Sequence, residues 1–425
     1  MSDLPAVLGG APIFDSPHHL VRPPMPDRAR LDAGIDRLYE TRILSNQGEF
    51  VTEFEKKVAA YAGTRYCASF CNATVALTCL ARALDLRGNA IVPSFTFSAT
   101  CQSLSWMGIE PKFVDIDPAT FNIDPRGVEA AIDGDTTAIM GVHLFGNPCA
   151  HDELQAIARE HDLPLLYDSA HALGSQYRGR PVGSLGDAEV FSFHATKLVH
   201  AGEGGAVVTN NEKLYERLRR IRNFGFEGYL NCADAGTNGK MNEFSGLVGS
   251  LLMDRVDEII AVRSWVFSQY RESLKAIPGL TFPEPRGEAG TRSNSSYFYV
   301  LVDPAQFGLN NLELNYALTR EGIITRCYFY PPVHRTKYYQ GQPGAQALDL
   351  PHSDWAALRL LCLPVYSDMG VEELAKILRG ILRCQEHAPQ IRESLVGAIP
   401  TNWESLVTLP VADPHEKFIL RQKKD

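Results

Sequence analysis

The chain has 425 residues, 45% hydrophobic and 21% charged, the composition of an ordinary globular protein long enough for a large domain and a smaller one. Its formal net charge of −9 argues against a nucleic-acid surface, while a local basic patch for an anionic substrate stays open. The nine cysteines are scattered without a CxxC pair, and no signal peptide or apolar run of ~18 residues is present, so the expectation is a cytoplasmic protein with reduced thiols and no membrane partner.

In chain order, residues 1–30 are rich in Pro, Gly and His and read as an arm laid on the surface. Asp32 to Glu40 follows a helical pattern, Ile43 to Gly48 breaks it with turn chemistry, and Phe50 to Tyr61 is a second amphipathic helix. A strand at Tyr66–Cys71 then meets Asn72-Ala73-Thr74 and a helix from Val75 to Leu84. Small polar residues at such a switch leave backbone N–H groups open to an anion, although an Asn or Thr there is equally a plain N-cap. Asn89–Phe97 reads as a buried strand in which Phe95 and Phe97 point the same way, either as core or as an aromatic face for a flat ring. Strands at Lys112–Asp117 and Thr137–Leu144 alternate with helices at Arg126–Ile132 and Asp152–Glu160, which implies a mostly parallel sheet covered on both faces. Asp115 and Asp117 have no histidine at ligand spacing and read as strand-end acids, so no metal is assigned.

Two stretches carry chemistry. Leu165 to Ala172 ends an apolar strand on Asp168, at the strand end where α/β sheets place ligands. Lys197 lies between the apolar run Ala188–Phe193 and a glycine turn leading into Ala206–Thr209. A lone loop lysine is usually just that, but one held between two strands and desolvated becomes a nucleophile toward carbonyls. A Schiff-base lysine together with an acid for a pyridinium nitrogen is the pairing that pyridoxal phosphate needs.

Further on, the helix Glu212–Asn223 carries Arg217, Arg219, Arg220 and Arg222 and reads as a solvated face. Gly236 to Phe244 is a loop before a long helix starting near Glu243, and Met253–Ser273 is helical. Beyond the Pro278-Gly279 break, a strand at Tyr297–Val302, a helix at Leu312–Glu321 and a strand at Ile324–Phe329 suggest a small α+β domain. The expected division is a large domain at 31–254, a small domain at 255–388, and a tail at 389–425 without an assigned role, ending in the charged run Arg421–Asp425.

"DSAHALGS" and "GDAEVFSFHATKLVHAGEGGAVV" resemble the sugar aminotransferases of the DegT/DnrJ/EryC/StrS type, and the likeness runs from about Pro23 to Leu382. It implies an α/β chain of the pyridoxal-phosphate-dependent transferase fold type I, with a mostly parallel seven-stranded sheet in the large domain. It also implies pyridoxal 5'-phosphate as cofactor, Lys197 and Asp168 as the catalytic pair, His171 at the ring hydroxyl edge, and Phe97 stacked on the ring. Ala73, Thr74 and Ser192 would take the phosphate. Relatives carry Ser-Gly-Thr where this chain has Asn72-Ala73-Thr74, and the alanine is tolerable only at negative φ. The resemblance places the turn of Asn238 and Lys240 on the neighbouring subunit's cofactor, hence a homodimer with composite sites, and sets Ser45–Gly48 at the site border.

"FVDIDPATFNIDP", "VHLFGNPC" and "NGKMNE" look most like members that make 4-amino-4,6-dideoxyglucose and perosamine. That likeness implies amination at C4 of a nucleotide-linked 4-keto-6-deoxyhexose with glutamate as donor, and Lys240, Arg326 and His334 as cations for the diphosphate. A 3-ketosugar or cyclitol aminotransferase stays open. A sugar dehydratase would replace the lysine by histidine, and a regulatory protein on the same scaffold would carry a degraded Asp/Lys pair or a fused DNA-binding segment. Gly202-Glu203-Gly204-Gly205 follows the lysine rather than a first strand and is not a dinucleotide fingerprint.

Overall fold

The computed structural model describes residues 4–282, 288–342 and 348–396. Two helices, α1 (Arg28–Thr41) and α2 (Glu49–Ala62), precede an alternating run. That run is β1 (Tyr66–Phe70), α3 (Ala73–Ala83), β2 (Asn89–Pro93), α4 (Ser98–Trp106), β3 (Glu110–Val114), α5 (Pro125–Ala131), β4 (Thr136–Val142), α6 (His151–Glu160) and β5 (Leu165–Asp168). Then come β6 (Ala188–Ser192), β7 (Gly205–Thr209), α7 (Glu212–Ile221), α8 (Glu243–Met253) and α9 (Val256–Leu274). The seven strands form one sheet in the order β1-β7-β6-β5-β4-β2-β3. Only β7 runs against the others, pairing antiparallel with β1 and β6. This is the mostly parallel seven-stranded sheet expected, and β2 and β5, buried along their whole length, show why parallel strands read as continuous apolar runs.

Local chemistry explains the element ends. Asn72, Asn211 and Asn242 each accept a backbone N–H in the first turn of α3, α7 and α8. α2 buries Val51, Phe54, Val58 and Ala62 on one stripe. Its N-terminus is closed from a distance: the buried Glu243 carboxylate accepts the N–H groups of Gly48, Phe50 and Val51 at 2.8, 2.9 and 3.2 Å. Asp115 caps the Pro351–Ala357 helix through Ser353 N at 2.8 Å, and Asp117 closes its own turn through Ala119 N at 2.7 Å.

α9 spans two cores. Val256 and Ile259 belong to the cluster under the large sheet, whereas Val266, Tyr270 and Leu274 pack with Phe298, Val300 and Leu361. The second cluster lies on a three-stranded antiparallel sheet of β8 (Leu280–Thr281), β9 (Phe298–Val302) and β10 (Leu360–Leu363). The first residues of the described chain cross this unit, with Ala6 N and Ile13 N donating to Glu321 at 2.8 and 3.1 Å and Phe14 buried in its core. The start of the tail joins it too, since Ile391 and Leu395 are core residues; Arg421–Asp425 lie outside the described residues. Among the described residues no helix is long and apolar enough to cross a membrane.

Three expectations are corrected. The segment Ile324–Phe329 is not a strand: only Arg326 pairs, with Cys362, and the aromatic residues after it turn into a core cluster with Phe145 and Tyr299. The basic helix is not a uniformly solvated face, because Arg222, just past α7, is buried and ion-paired to Glu55 at 2.6 Å. The strand expected over Asn89–Phe97 stops at Pro93, so strand alternation does not set the directions of Phe95 and Phe97. Phe95 is fully buried, and Phe97, at the N-cap of α4, is 56% exposed.

Candidate active site

Parallel strands bring their C-terminal ends to one sheet edge, where the backbone leaves the ladder and side chains become free to converge. Phe70, Pro93, Val142, Asp168 and Ser192 are the last residues of β1, β2, β4, β5 and β6, and β7 enters at the same edge with Gly205. Gly205 lies between Phe70 and Ser192, and a Cβ on it would sit 2.5 Å from Ala73 N. Only a glycine lets β7 pass this close under the start of α3, which sets Ser192 and the first turn of that helix side by side. The Asn72 side chain takes Val75 N at 2.9 Å and its carbonyl takes Ala76 N at 3.1 Å. The N–H groups of Ala73 and Thr74 remain at the open, positive end of an 11-residue helix. Ala73 occupies the first helical position, a negative-φ site, so the alanine is accommodated.

Asp168 is 5% exposed. Its Oδ2 accepts the Thr100 hydroxyl at 2.7 Å and its Oδ1 accepts Ala170 N at 3.1 Å. Burial pushes its carboxyl above the ordinary range, against the pull of these two donors and of Lys197. Lys197 lies in the bend after β6, its backbone N–H donating to His194 O at 2.9 Å. Burial lowers the amine from its ordinary value; Arg326 pushes the same way, while Tyr328 and Asp168 oppose. The ammonium stands 5.8 Å from the Tyr297 ring centroid, and among the described residues no acceptor hydrogen-bonds Nζ. An amine and a carboxyl both driven toward neutrality at one sheet edge are suited to proton transfer and carbonyl chemistry.

The wall around Lys197 comes from several elements. His171 stacks on Phe145 with centroids 5.9 Å apart and planes 1° apart. Its Nδ1 accepts Phe145 N at 3.3 Å, which places the ring proton on Nε2, and burial keeps the imidazole well below its usual pKa. Arg326 donates from Nη1 to the Tyr328 hydroxyl at 2.7 Å, and Tyr328 meets Tyr297 edge-on at 5.7 Å. Phe97 lies 6.3 Å from Phe329, with more than half its surface free.

The structure thus brings Asp168, Lys197, His171 and Arg326 around one space, with Ala73, Thr74 and Ser192 gathered at the same edge. Asn238 and Lys240 make no hydrogen bond to any of these among the described residues. Their turn is backed by Gly239 against Phe70 and Val75, Asn238 is exposed, and Lys240 Nζ donates to Asn223 Oδ1 at 2.9 Å, 4.7 Å from the Phe224 centroid. His334 does not reach the site mouth as a cation. It is fully buried, its Nδ1 is 2.5 Å from Ser94 Oγ, and burial drives its pKa down to about 4, so the ring is neutral. A proline-rich loop next to a histidine gave no hint that the ring would point inward.

Sequence reasoning missed Thr100, Tyr297 and Tyr328. The only local signal for Thr100 was a hydroxyl one turn into α4; the two tyrosines arrive from the small unit by long-range packing.

The model of the DegT/DnrJ/EryC1/StrS aminotransferase family matches residues 27–382. The chain is 33% identical over 367 residues to the dTDP-4-amino-4,6-dideoxy-D-glucose transaminase of Escherichia coli, covering 85% of this chain and 97% of that protein. It is 36% identical over 286 residues to the GDP-perosamine synthase of Caulobacter vibrioides, covering 65% of this chain and 72% of that one. Among solved structures, that of DesI in the presence of its TDP-sugar product superposes with a TM-score of 0.86 at 43% identity, covering 93% of this chain and 99% of that one. A matching family model over most of the length, together with named transaminases among the relatives, makes this chain a transaminase-type enzyme of the DegT/DnrJ/EryC1/StrS aminotransferase family.

Proposed function

We propose that the enzyme moves an amino group from glutamate to C4 of a nucleotide-diphosphate-linked 4-keto-6-deoxyhexose, with pyridoxal 5'-phosphate as cofactor. The observation that carries this reading is the Lys197–Asp168 pair at the sheet edge, beside an open helix N-terminus. The family implies the cofactor, and the donor set fits it. Ala73 N, Thr74 and Ser192 supply neutral donors and the positive helix end for a phosphate, and the approach of β7 that a Cβ on Gly205 would block keeps them together. When bound, pyridoxal phosphate supplies an electron sink for charge developing on the substrate carbon.

Asp168 holds the proton of the ring nitrogen, and His171, neutral with its proton on Nε2, donates at the ring hydroxyl edge. Phe97 offers its exposed face for stacking. Lys197 Nζ, with its lowered pKa, takes and returns the proton at the reacting carbon. Arg326 supplies a cation next to Lys197 for the acidic substrates. The exposed Asn238 and the half-buried Lys240 would serve a neighbouring protomer, which makes the active form a cytoplasmic homodimer with composite sites.

The choice of C4 and of a nucleotide sugar is supported by the relatives' names, two of which belong to makers of 4-amino-4,6-dideoxyhexoses. The test is to incubate the enzyme with a panel of nucleotide-linked ketosugars and either glutamate or glutamine, and to read the product by NMR. Nitrogen on C4 of a 4-keto-6-deoxyhexose is expected. Nitrogen on C3, or on a ring without a nucleotide, would reject the C4 reading and leave the transaminase chemistry in place.

A further inference from the structure

Asp168 does not stand alone behind the site. Thr100 Oγ1 donates to its Oδ2 at 2.7 Å, and Thr96 Oγ1 lies 2.9 Å from Thr100 Oγ1. All three side chains are buried, at 2% exposure for Thr96, 0% for Thr100 and 5% for Asp168. A threonine hydroxyl has one proton. The carboxylate accepts the proton of Thr100, so Thr100 can only accept from Thr96, and both hydroxyls are polarised toward Asp168. Hydrogen bonds in series at low dielectric strengthen one another, and those to an ionised acceptor are the strongest. Thr100 and Thr96 also lie on either side of Phe97, at the start of α4, so one short segment carries the ring-stacking candidate and the support of the acid.

We propose that Thr96 and Thr100 form a positioning relay that aims the Asp168 carboxylate and holds its negative charge in place, so that the acid keeps the cofactor's ring nitrogen protonated. The proposal rests on the pyridoxal-phosphate reading of the site. Other charged or titratable groups face Asp168. Lys197 approaches from the bend after β6. His143 follows β4, with its Nε2 3.5 Å from Glu189 on β6, and the Cys101 thiol lies next to Thr100 on α4. None of these donates a hydrogen bond to the carboxylate; Thr100 and Ala170 N are its donors among the described residues.

The experiment compares wild type with Thr100→Val, Thr100→Ser and Thr96→Val by cofactor dissociation constant, melting temperature and the pH profile of kcat. Thr100→Val keeps the shape and removes the donor. It is expected to raise Kd for pyridoxal phosphate and lower kcat by about tenfold each, with the acid limb of the profile moving up by about one pH unit, as loss of one charge-assisted bond dictates. Thr100→Ser should restore all three, and Thr96→Val should move the limb the same way by a smaller step. A Thr100→Val enzyme with an unmoved limb and unchanged Kd, whatever its melting temperature, overturns the proposal. Should that variant not fold, Thr96→Val decides: a displaced limb supports the relay and an unmoved one overturns it. If wild type itself takes up no pyridoxal phosphate, the cofactor reading falls first, and the relay with it.

Discussion

Two acid–base pairs stand some strands apart in the same domain and are built in opposite ways: Arg222 and Glu55 are both buried, whereas Lys197 is half-buried near the buried Asp168. Arg222 donates from Nη1 to Glu55 Oε1 at 2.6 Å and to Ser69 O at 2.7 Å, and its Nη2 donates to Gln47 Oε1. Glu55 also accepts Ser69 N and Oγ at 2.8 Å each and Gln47 Nε2 at 2.5 Å. Both oxygens of Glu55 and both terminal nitrogens of Arg222 thus have partners. Among the described residues Asp168 accepts two hydrogen bonds and Lys197 Nζ has no acceptor. The first pair ties α2, β1 and the end of α7 together. The second leaves lone pair and proton capacity unspent where strands end. The contrast separates architecture from chemistry without reference to any relative: a satisfied buried charge holds the fold, and an under-satisfied one at a sheet edge is available to a ligand.

Substitutions should divide along the same line. The largest effect is expected from Lys197→Ala, which should lower turnover by on the order of 10⁴-fold or more while cofactor still binds and the melting temperature holds or rises, because a partly desolvated amine without a hydrogen-bond acceptor among the described residues is removed. A variant with normal transamination would sink the assignment. Arg222→Ala should do the reverse, costing roughly 3–5 kcal/mol of stability by stranding the Glu55 carboxylate, with turnover per folded molecule little altered. Urea unfolding next to a steady-state assay reads both; if activity collapsed while stability stayed, the contrast between the pairs would be wrong.

Asp168→Asn is next, with kcat down by roughly 10²–10³-fold and little loss of stability, since an amide cannot hold the ring-nitrogen proton. Unimpaired turnover at an unchanged melting temperature would remove Asp168 from this role. The smallest effect concerns the composite site. Mixed protomers of Lys197→Ala and Asn238→Asp should regain roughly a quarter of wild-type activity, because half the dimers are mixed and each then carries one intact site. No recovery after subunit exchange, or an active monomer in sedimentation, would count against the exposed turn of Asn238 serving a neighbour.

How much of this was legible depended on whether the signal was local. The helices α1, α2 and α3 and the strands β1, β4, β5, β6 and β7 follow from periodicity and caps, with ends shifted by a few residues. Lys197 and Asp168 stood out because each ends or follows an apolar run, and a sheet edge turns that position into a site. What failed was decided at long range. Thr100 meets Asp168 across a separation of 68 residues, and Arg222 meets Glu55 across 167. No window of sequence shows that one arginine of a basic helix turns inward. The alternation of Phe95 and Phe97 was real, but Pro93 ends the ladder before it could act. Arg326 looked like part of a strand because its neighbours are β-formers, whereas packing against Phe145 and Tyr299 directs the aromatic residues that follow it. His334 was assigned by charge class alone, and its burial against Ser94 removes the charge that the assignment needed.

The central claim is that Lys197 is the residue to which the cofactor attaches. The most direct measurement is mass spectrometry of protein reconstituted with pyridoxal phosphate, reduced with borohydride and digested. The account predicts the pyridoxyl-phosphate mass on the peptide containing Lys197 and its loss in Lys197→Ala. The same mass on another lysine, such as Lys240, or on none, would contradict it.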